Sequence, residues 1–169
     1  GDTTPPSVLL AIPANAATAV ATNATITVKF NDNGGVASNS FVVRVAGTTA
    51  LSNGAFLAGF TGSLVRTNAT AFKAVVDRDL PYANLTSITV RATAGDATAN
   101  SRTTNFAFTT ADTTPPLVAV TMPTNAATSV ATNTTITVKF SDISGVTSNS
   151  IVVRVAGITA LTNGAFKSN

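Results

Sequence analysis

The side chains in this sequence that could carry out chemistry are seven aspartates, and the residues that usually assist them in catalysis are missing. The 169-residue chain contains no glutamate, histidine, cysteine or tryptophan. It therefore lacks the general base, the thiol nucleophile and the zinc ligands that histidine and cysteine supply. Asp77 and Asp79 are close in sequence, but Arg78 between them favours an ordinary surface turn. We expect a protein that is not an enzyme.

Calcium binding is the chemistry that aspartates alone could support, because Ca²⁺ takes about six to eight oxygen ligands. Asp112, at the start of a repeated segment, is the candidate ligand. Asp32, Asp77, Asp79 or Asp96 could join it from neighbouring loops. The sequence has no EF-hand-like run of alternating aspartates. The alternative is that Asp112 only caps or turns a linker, in which case the protein needs no cofactor.

The basic residues give a formal net charge of only +3. A nucleic-acid or polyanion site would need them clustered on one face. The sequence instead predicts a solvated surface that does not bind nucleic acid, with weak contact to an anionic surface as the alternative. Six of these residues occur singly in the first part of the chain: Lys29, Arg44, Arg66, Lys73, Arg91 and Arg102.

Four Asn-x-Thr sequences are possible acceptors for N-linked glycosylation. In a chain this rich in asparagine and threonine, such matches also arise by chance. Asn68 is the best candidate because it lies at the tip of a predicted hairpin. The four asparagines are Asn23, Asn68, Asn84 and Asn133.

The composition indicates a folded protein outside the cell. The apolar fraction is 44%, the charged fraction is 10%, and no apolar run approaches the roughly 20 residues of a membrane-spanning helix. Without cysteine there are no disulfides. A surface rich in threonine and asparagine is typical of secreted repeat proteins, so we expect a secreted or cell-surface location and no membrane span.

The chain repeats itself. Residues 2–56 return as residues 112–166 with 40 of 55 positions identical, a spacing of 110 residues. This spacing is too long for a solenoid unit and suits a whole small domain. The sequence predicts a complete repeat at residues 1–111, with a proline-stiffened linker at 1–6, and the N-terminal half of a second repeat at 112–169. Pro115 and Pro116 stiffen the short link, so we expect tandem copies to stack as a rod.

Apolar residues alternate with polar ones along most of the first repeat, as they do in strands that bury one face. Ile26, Val28 and Phe30 alternate with threonine and lysine, for example. Short strands at intervals of about 8–12 residues indicate an antiparallel β-sandwich. Ten side chains should point into its interior: Ile26, Val28, Phe30, Phe41, Val43, Val45, Ile88, Val90, Phe106 and Phe108.

Several ordered motifs resemble a known family. They are the Asp-Thr-Thr-Pro-Pro segment at residues 2–6, residues 13–21, Ile-Thr-Val-Lys-Phe at 26–30, Leu80, residues 95–100 and Phe-Ala-Phe-Thr-Thr at 106–110. Together they resemble the bacterial Ig-like domains repeated in S-layer proteins and large surface adhesins. The resemblance implies an all-β fold of tandem Ig-like antiparallel β-sandwiches, the second copy incomplete. The sequence departs from the family pattern at Ile88, near the place where the family often has tyrosine, and its one tyrosine is Tyr82.

The resemblance implies a structural, spacer or adhesive role. We expect a building unit of a stalk, filament or surface layer, with adhesion or a biofilm matrix as its setting. Its partners would be neighbouring copies of the same repeat or subunit, with strand complementation of residues 112–169 as one form of contact. A ligand-binding adhesin module is the first alternative, but exposed aromatic side chains for stacking on sugars are not evident. An accessory domain of a secreted polysaccharide hydrolase is the second.

Overall fold

A computed structural model describes residues 1–168. The chain divides into two compact units, Gly1–Asp112 and Thr113–Asn169, here called unit 1 and unit 2. Almost all the regular structure is β-strand, with two short 3-10 turns at Ser38–Ser40 and Ser148–Ser150. In the described part of the chain, no helix has the length and apolar character needed to cross a membrane.

Unit 1 contains ten strands. In the main strands apolar and polar residues alternate, so that one face of each strand is apolar and the other is polar. The strands are β1 (Ser7–Ile12), β2 (Ala17–Val20), β3 (Ile26–Asn31), β4 (Val42–Val45), β5 (Thr48–Ser52), β6 (Ala55–Phe56), β7 (Phe60–Asn68), β8 (Ala71–Arg78), β9 (Ser87–Gly95) and β10 (Ser101–Thr110).

These strands form two sheets, as predicted for an Ig-like sandwich. One sheet has the order β1-β3-β8-β7, and the other has the order β2-β10-β9-β4-β5-β6. The pairing is antiparallel except between β2 and β10, which run parallel. β3 pairs with β8, and β4 pairs with β9. These pairings join the first half of unit 1 to its second half.

The predicted interior is confirmed residue by residue. All ten side chains expected to face inward are at most 5% exposed. Phe30 packs edge-to-face on Phe41 with ring centroids 5.6 Å apart, and Phe41 lies 6.3 Å from Phe72 in a similar arrangement. Such pairs add to the hydrophobic stabilisation from burial. The core therefore lies between the two sheets and draws on both halves of the repeat.

Three short strands were not predicted from the sequence. The hairpin of β5 and β6 turns at Asn53 and Gly54, whose φ angles are 50° and 76°. An Asn-Gly pair suits this turn, because both residues tolerate positive φ. Strand β2 has the sequence Ala-Thr-Ala-Val, with a positive φ of 53° at Ala19. It lacks a clear strand pattern and forms because β10 offers it an edge.

The described part of unit 2, residues 113–168, contains five strands in two separate sheets. They are β11 (Leu117–Met122), β12 (Thr137–Ser141), β13 (Val153–Val155), β14 (Ile158–Thr162) and β15 (Ala165–Phe166). The sheets are β11-β12 and β13-β14-β15. The pairing of β11 with β12 repeats the register of β1 with β3, including the bulge two residues into the strand. The first half of the repeat thus keeps its local pairing in unit 2.

The apolar side chains of unit 2 are nevertheless exposed. Ile136 is 51% exposed, whereas its counterpart Ile26 is 0% exposed. Val155 is 40% exposed, and its counterpart Val45 is 1% exposed. In unit 1 the covering side chains come from β8, β9 and β10. Within the described residues unit 2 has no counterparts of these strands, so its apolar side chains lack the cover that their counterparts have in unit 1.

Candidate functional site

Three aspartates from distant parts of unit 1 meet at one end of the sandwich. Asp2 precedes β1, Asp32 follows β3, and Asp96 follows β9. One carboxylate oxygen from each lies within 4.8 Å of the other two. Asp32 and Asp96 are buried, at 3% and 7% exposed. We call these three residues the aspartate cluster.

Each carboxylate of the cluster accepts a hydrogen bond from a backbone N–H two residues further along the chain. The distance from the backbone N to the carboxylate Oδ1 is 2.9 Å from Thr4 to Asp2. It is 2.7 Å from Gly34 to Asp32 and 2.8 Å from Thr98 to Asp96. Asparagine and aspartate favour such local turns. The cluster therefore forms where three aspartate-stabilised turns converge.

Asn100 links the cluster to the N-terminal segment. Its side-chain amide donates to Asp96 Oδ2 at 2.7 Å and to the backbone oxygen of Asp2 at 3.1 Å, and its backbone N–H donates to Asp96 Oδ1 at 2.9 Å. Gly34 fits closely here, since a Cβ at that position would lie 2.6 Å from Asp2 Oδ2. The site is tightly constructed around its carboxylates.

The hydrogen bonds keep Asp96 ionised. Burial alone would raise the pKa of its carboxyl, but the bonds donated by Asn100 and Thr98 together outweigh this and leave the pKa below the ordinary value. The carboxylate form of Asp96 is thus favoured by the bonds that it accepts.

The cluster contains residues that could hold a hard cation such as Ca²⁺. Three carboxylates supply about half of the six to eight oxygens that the ion prefers, so water would have to complete the shell. The same carboxylates also have a purely structural explanation, because each orders its own loop through backbone N–H groups.

Asp112, the residue chosen from the sequence, lies elsewhere in unit 1. Its Oδ1 accepts a hydrogen bond of 3.0 Å from the side chain of Asn84, in the loop between β8 and β9. Asp2 is its counterpart in the first repeat, and that relation was the signal that could have identified the cluster. Of the residues proposed to accompany Asp112, only Asp32 and Asp96 belong to the cluster. Asp77 accepts a bond from the Thr25 hydroxyl, and the backbone N–H of Asp79 donates to Gly59.

The basic residues are not all scattered, contrary to the sequence-based expectation. Lys29 lies directly opposite Lys73 across β3 and β8, and Arg44 lies directly opposite Arg91 across β4 and β9. Cross-strand proximity is set by register, which sequence spacing does not reveal.

The four predicted sequons occupy different environments. Asn68 ends β7 at the exposed hairpin tip, and its side-chain oxygen accepts a 2.9 Å bond from the backbone of Thr70. The Asn84 side chain is half-buried and donates to Asp112. Asn23 and Asn133 are exposed. Glycosylation at these positions stays a prediction.

Tyr82 is buried, at 4% exposed, beside the core. Its ring packs edge-to-face on Phe108 at 5.9 Å, and the Arg78 guanidinium lies 5.2 Å from the ring centroid. The hydroxyl has no hydrogen-bond partner in the described part of the chain. Tyr82 thus forms no tyrosine-corner hydrogen bond within residues 1–168, in agreement with the departure from the family pattern at Ile88.

The sequence matches the family of bacterial Ig-like domains at residues 2–110 and again at 112–167. The chain belongs to this family, as the sequence motifs and the two-sheet architecture of unit 1 indicated. Bacterial Ig-like domains are usually extracellular. No curated protein matches the chain.

Two solved structures are similar in outline. The crystal structure of dimeric latent PorU from Porphyromonas gingivalis aligns at 20% identity and a TM-score of 0.49, covering 72% of this chain and 12% of that one. The N-terminal Ig1-2 module of the Drosophila receptor protein tyrosine phosphatase DLAR aligns at 15% identity and a TM-score of 0.42, covering 70% of this chain and 57% of that one. This chain therefore spans less than two thirds of either structure.

Proposed function

We propose that this chain is a structural repeat of an extracellular protein, serving as a building unit of a stalk, filament or surface layer. The observation that supports this role best is the immediate restart of the domain. Strand β10 ends at Thr110, and the repeated sequence begins again at Asp112. A protein whose domains are joined by so short and proline-rich a link is suited to spanning a distance or bearing load.

A non-enzymatic role fits the chemistry of the side chains. The chain has no histidine or cysteine, and the carboxylates of the aspartate cluster are engaged by backbone N–H groups of their own loops. A lowered pKa makes Asp96 a poor general acid or base near neutral pH. The cluster is better suited to ordering the end of the sandwich.

The stalk role is tested by the size of artificial arrays. Proteins with two, four and eight copies of residues 1–111 in tandem are compared by small-angle scattering. A stalk predicts a radius of gyration that grows in proportion to the number of copies. Flexibly linked domains would follow roughly the square root of that number. The matched control replaces Pro5 and Pro6 with glycine in every copy. Square-root growth in the unsubstituted arrays would contradict the proposal.

The partner of unit 2 is a segment with the strand pattern of residues 57–110, which supplies the other half of its sandwich. Nine core residues of the first half have a counterpart 110 residues later in unit 2. Eight of the nine pairs are identical, and the ninth is Phe41 with Ile151. The nine are Ile26, Val28, Phe30, Val36, Phe41, Val43, Val45, Ala50 and Leu51. In unit 1 these positions pack against β8, β9 and β10. β12 would pair with a β8-like strand and β13 with a β9-like strand, as β3 and β4 do. The apolar side chains that cover these positions in unit 1 are thus of the kind that would cover their counterparts in unit 2.

The completion of unit 2 is tested by joining a copy of residues 57–110 after Phe166. We expect residues 117–166 to gain strong protection from amide hydrogen exchange and the product to remain monomeric. The control carries aspartate at the joined copies of Val90 and Phe108. Absence of protection in the unsubstituted fusion would overturn this assignment. Protection that appears in the 169-residue chain alone as its concentration rises would instead identify a second copy as the occupant.

A further inference from the structure

The outer face of the six-stranded sheet carries two arginines that have no partner in residues 1–168. Arg44 on β4 and Arg91 on β9 lie directly opposite each other, and both side chains are exposed. The other three arginines of unit 1 are committed to local contacts. Arg66 donates to the backbone of Ala69, Arg78 to Pro81, and Arg102 to Pro6. The opposed pair is therefore distinct from the rest of the arginines.

Placing like charges directly opposite each other across a strand pair is destabilising. No aspartate lines the two shallow grooves on either side of the pair, whose volumes are about 500 Å³ and 280 Å³. An anion held between the two guanidinium groups would remove this repulsion. Guanidinium groups also bind carboxylates in a planar, two-bond geometry.

Uncharged hydrogen-bonding groups extend the pair into a row. The register places Asn105 next to Arg91 on one side and Thr49 next to Arg44 on the other. Neighbouring strands lie about 4.8 Å apart, so the four side chains cover about 14 Å across the sheet. Thr89 and Asn15 line the larger groove beside the row. The Asn15 side-chain oxygen accepts from the backbone of Ala107, which leaves its amide N–H groups for other acceptors.

We propose that this row, Asn105-Arg91-Arg44-Thr49, binds the carboxylate groups of an acidic polysaccharide. The two arginines take a carboxylate, and the amide and hydroxyl groups of the row contact sugar hydroxyls. A nucleic acid fits less well, because its affinity depends on many phosphate contacts. The groove linings contain only two basic residues, Arg44 and Arg91. Binding here is separate from the structural role of the repeat and adds adhesion to it.

The test compares binding of the full chain to polygalacturonate, to a neutral glucan and to single-stranded DNA at low salt. We expect binding to polygalacturonate that weakens as salt rises. The double variant Arg44→Gln with Arg91→Gln should lose about tenfold in affinity, because charge-assisted hydrogen bonds are the stronger ones. Hydrogen exchange of unit 1 verifies that the variant is folded.

The matched control removes two opposed positive charges from the other sheet, as Lys29→Gln with Lys73→Gln. These lysines face each other across β3 and β8, as the arginines do across β4 and β9. Both double variants remove two positive charges, so the change in net charge is the same. The proposal requires this control to bind polygalacturonate nearly as well as the natural sequence. Equal losses in the two variants would reduce the effect to net charge and overturn the proposal. So would equal binding to DNA, or no binding to polygalacturonate.

Discussion

The buried hydroxyl of Tyr82 leads to a prediction at the scale of a single residue. A buried polar group without a partner costs about 1–3 kcal/mol, so Tyr82→Phe should leave unit 1 unchanged or stabilise it by about 1 kcal/mol at neutral pH. The ring contacts with Phe108 and Arg78 are retained in the variant. Denaturant unfolding measures the change. A loss above about 1 kcal/mol would contradict the assignment and indicate a bridging water.

The same residue predicts a dependence on alkaline pH. Burial is the largest influence on Tyr82 and raises the pKa of its phenol above the ordinary 10.0, with Arg78 opposing the rise and Asp77 adding to it. A group whose pKa is raised by folding contributes stability that is present below its unfolded pKa and lost as pH rises through the folded value. Unit 1 should therefore weaken above pH 10, and Tyr82→Phe should remove that part of the decline. Urea titrations at pH 8 and pH 11 compare the two proteins.

Asn100 provides a second pH-linked prediction. Its bonds to Asp96 help to hold the carboxyl pKa below 3.8, the ordinary value. A depressed pKa contributes stability above the unfolded pKa, and this stability is lost as pH falls through the folded value. Asn100→Ala should raise the pKa of Asp96 towards 3.8 and move the acid-induced loss of stability to higher pH. Carbon-detected NMR titration of the carboxyl measures the shift, with Asn68→Ala as a control. An unchanged Asp96 titration would show that the Asn100 side chain does not set its pKa.

At the scale of strands, the two copies of β3 provide an internal control. Phe30 is fully buried, so Phe30→Ala should cost unit 1 about 3–5 kcal/mol. Phe140, its counterpart in β12, is only half-buried, and Phe140→Ala should change stability by less than about 1 kcal/mol. Global hydrogen exchange of unit 1 and local exchange of β12 measure the two effects. Comparable losses at both positions would mean that unit 2 has a packed core of its own.

The sequence predicted the strands whose side chains alternate and missed those that depend on a neighbour. Ile26, Val28 and Phe30 are visible as a strand because burial of one face imposes a period of two. Strand β2 has no such pattern, and its pairing with β10 depends on residues about 90 positions away. The Arg44–Arg91 pair and the aspartate cluster were missed for the same reason, because both depend on register and loop convergence over long sequence distances.

At the scale of the whole chain, unit 1 should be independent of unit 2. Unit 1 contains both sheets of its sandwich, and the hydrophobic core between them is made of residues of unit 1. A protein ending at Asp112 should therefore unfold at the same temperature as the 169-residue chain, within about 2 °C, since surface changes usually cost less than 0.5 kcal/mol. Differential scanning calorimetry of the two proteins tests this. A clear drop on truncation would show that residues 113–169 support unit 1.

The near-identity of the two first halves means that the interior of the sandwich cannot distinguish them. Residues 57–110 meet almost the same apolar surface whether they cover residues 1–56 or residues 112–166. The order in which the ribosome releases the chain then favours pairing with the first half, because domains generally fold as units from the N-terminus during synthesis. Residues 1–56 have already been synthesised when residues 57–110 emerge from the ribosome, whereas residues 112–166 have not. During refolding from denaturant both copies are present, so residues 57–110 can also pair with the wrong one.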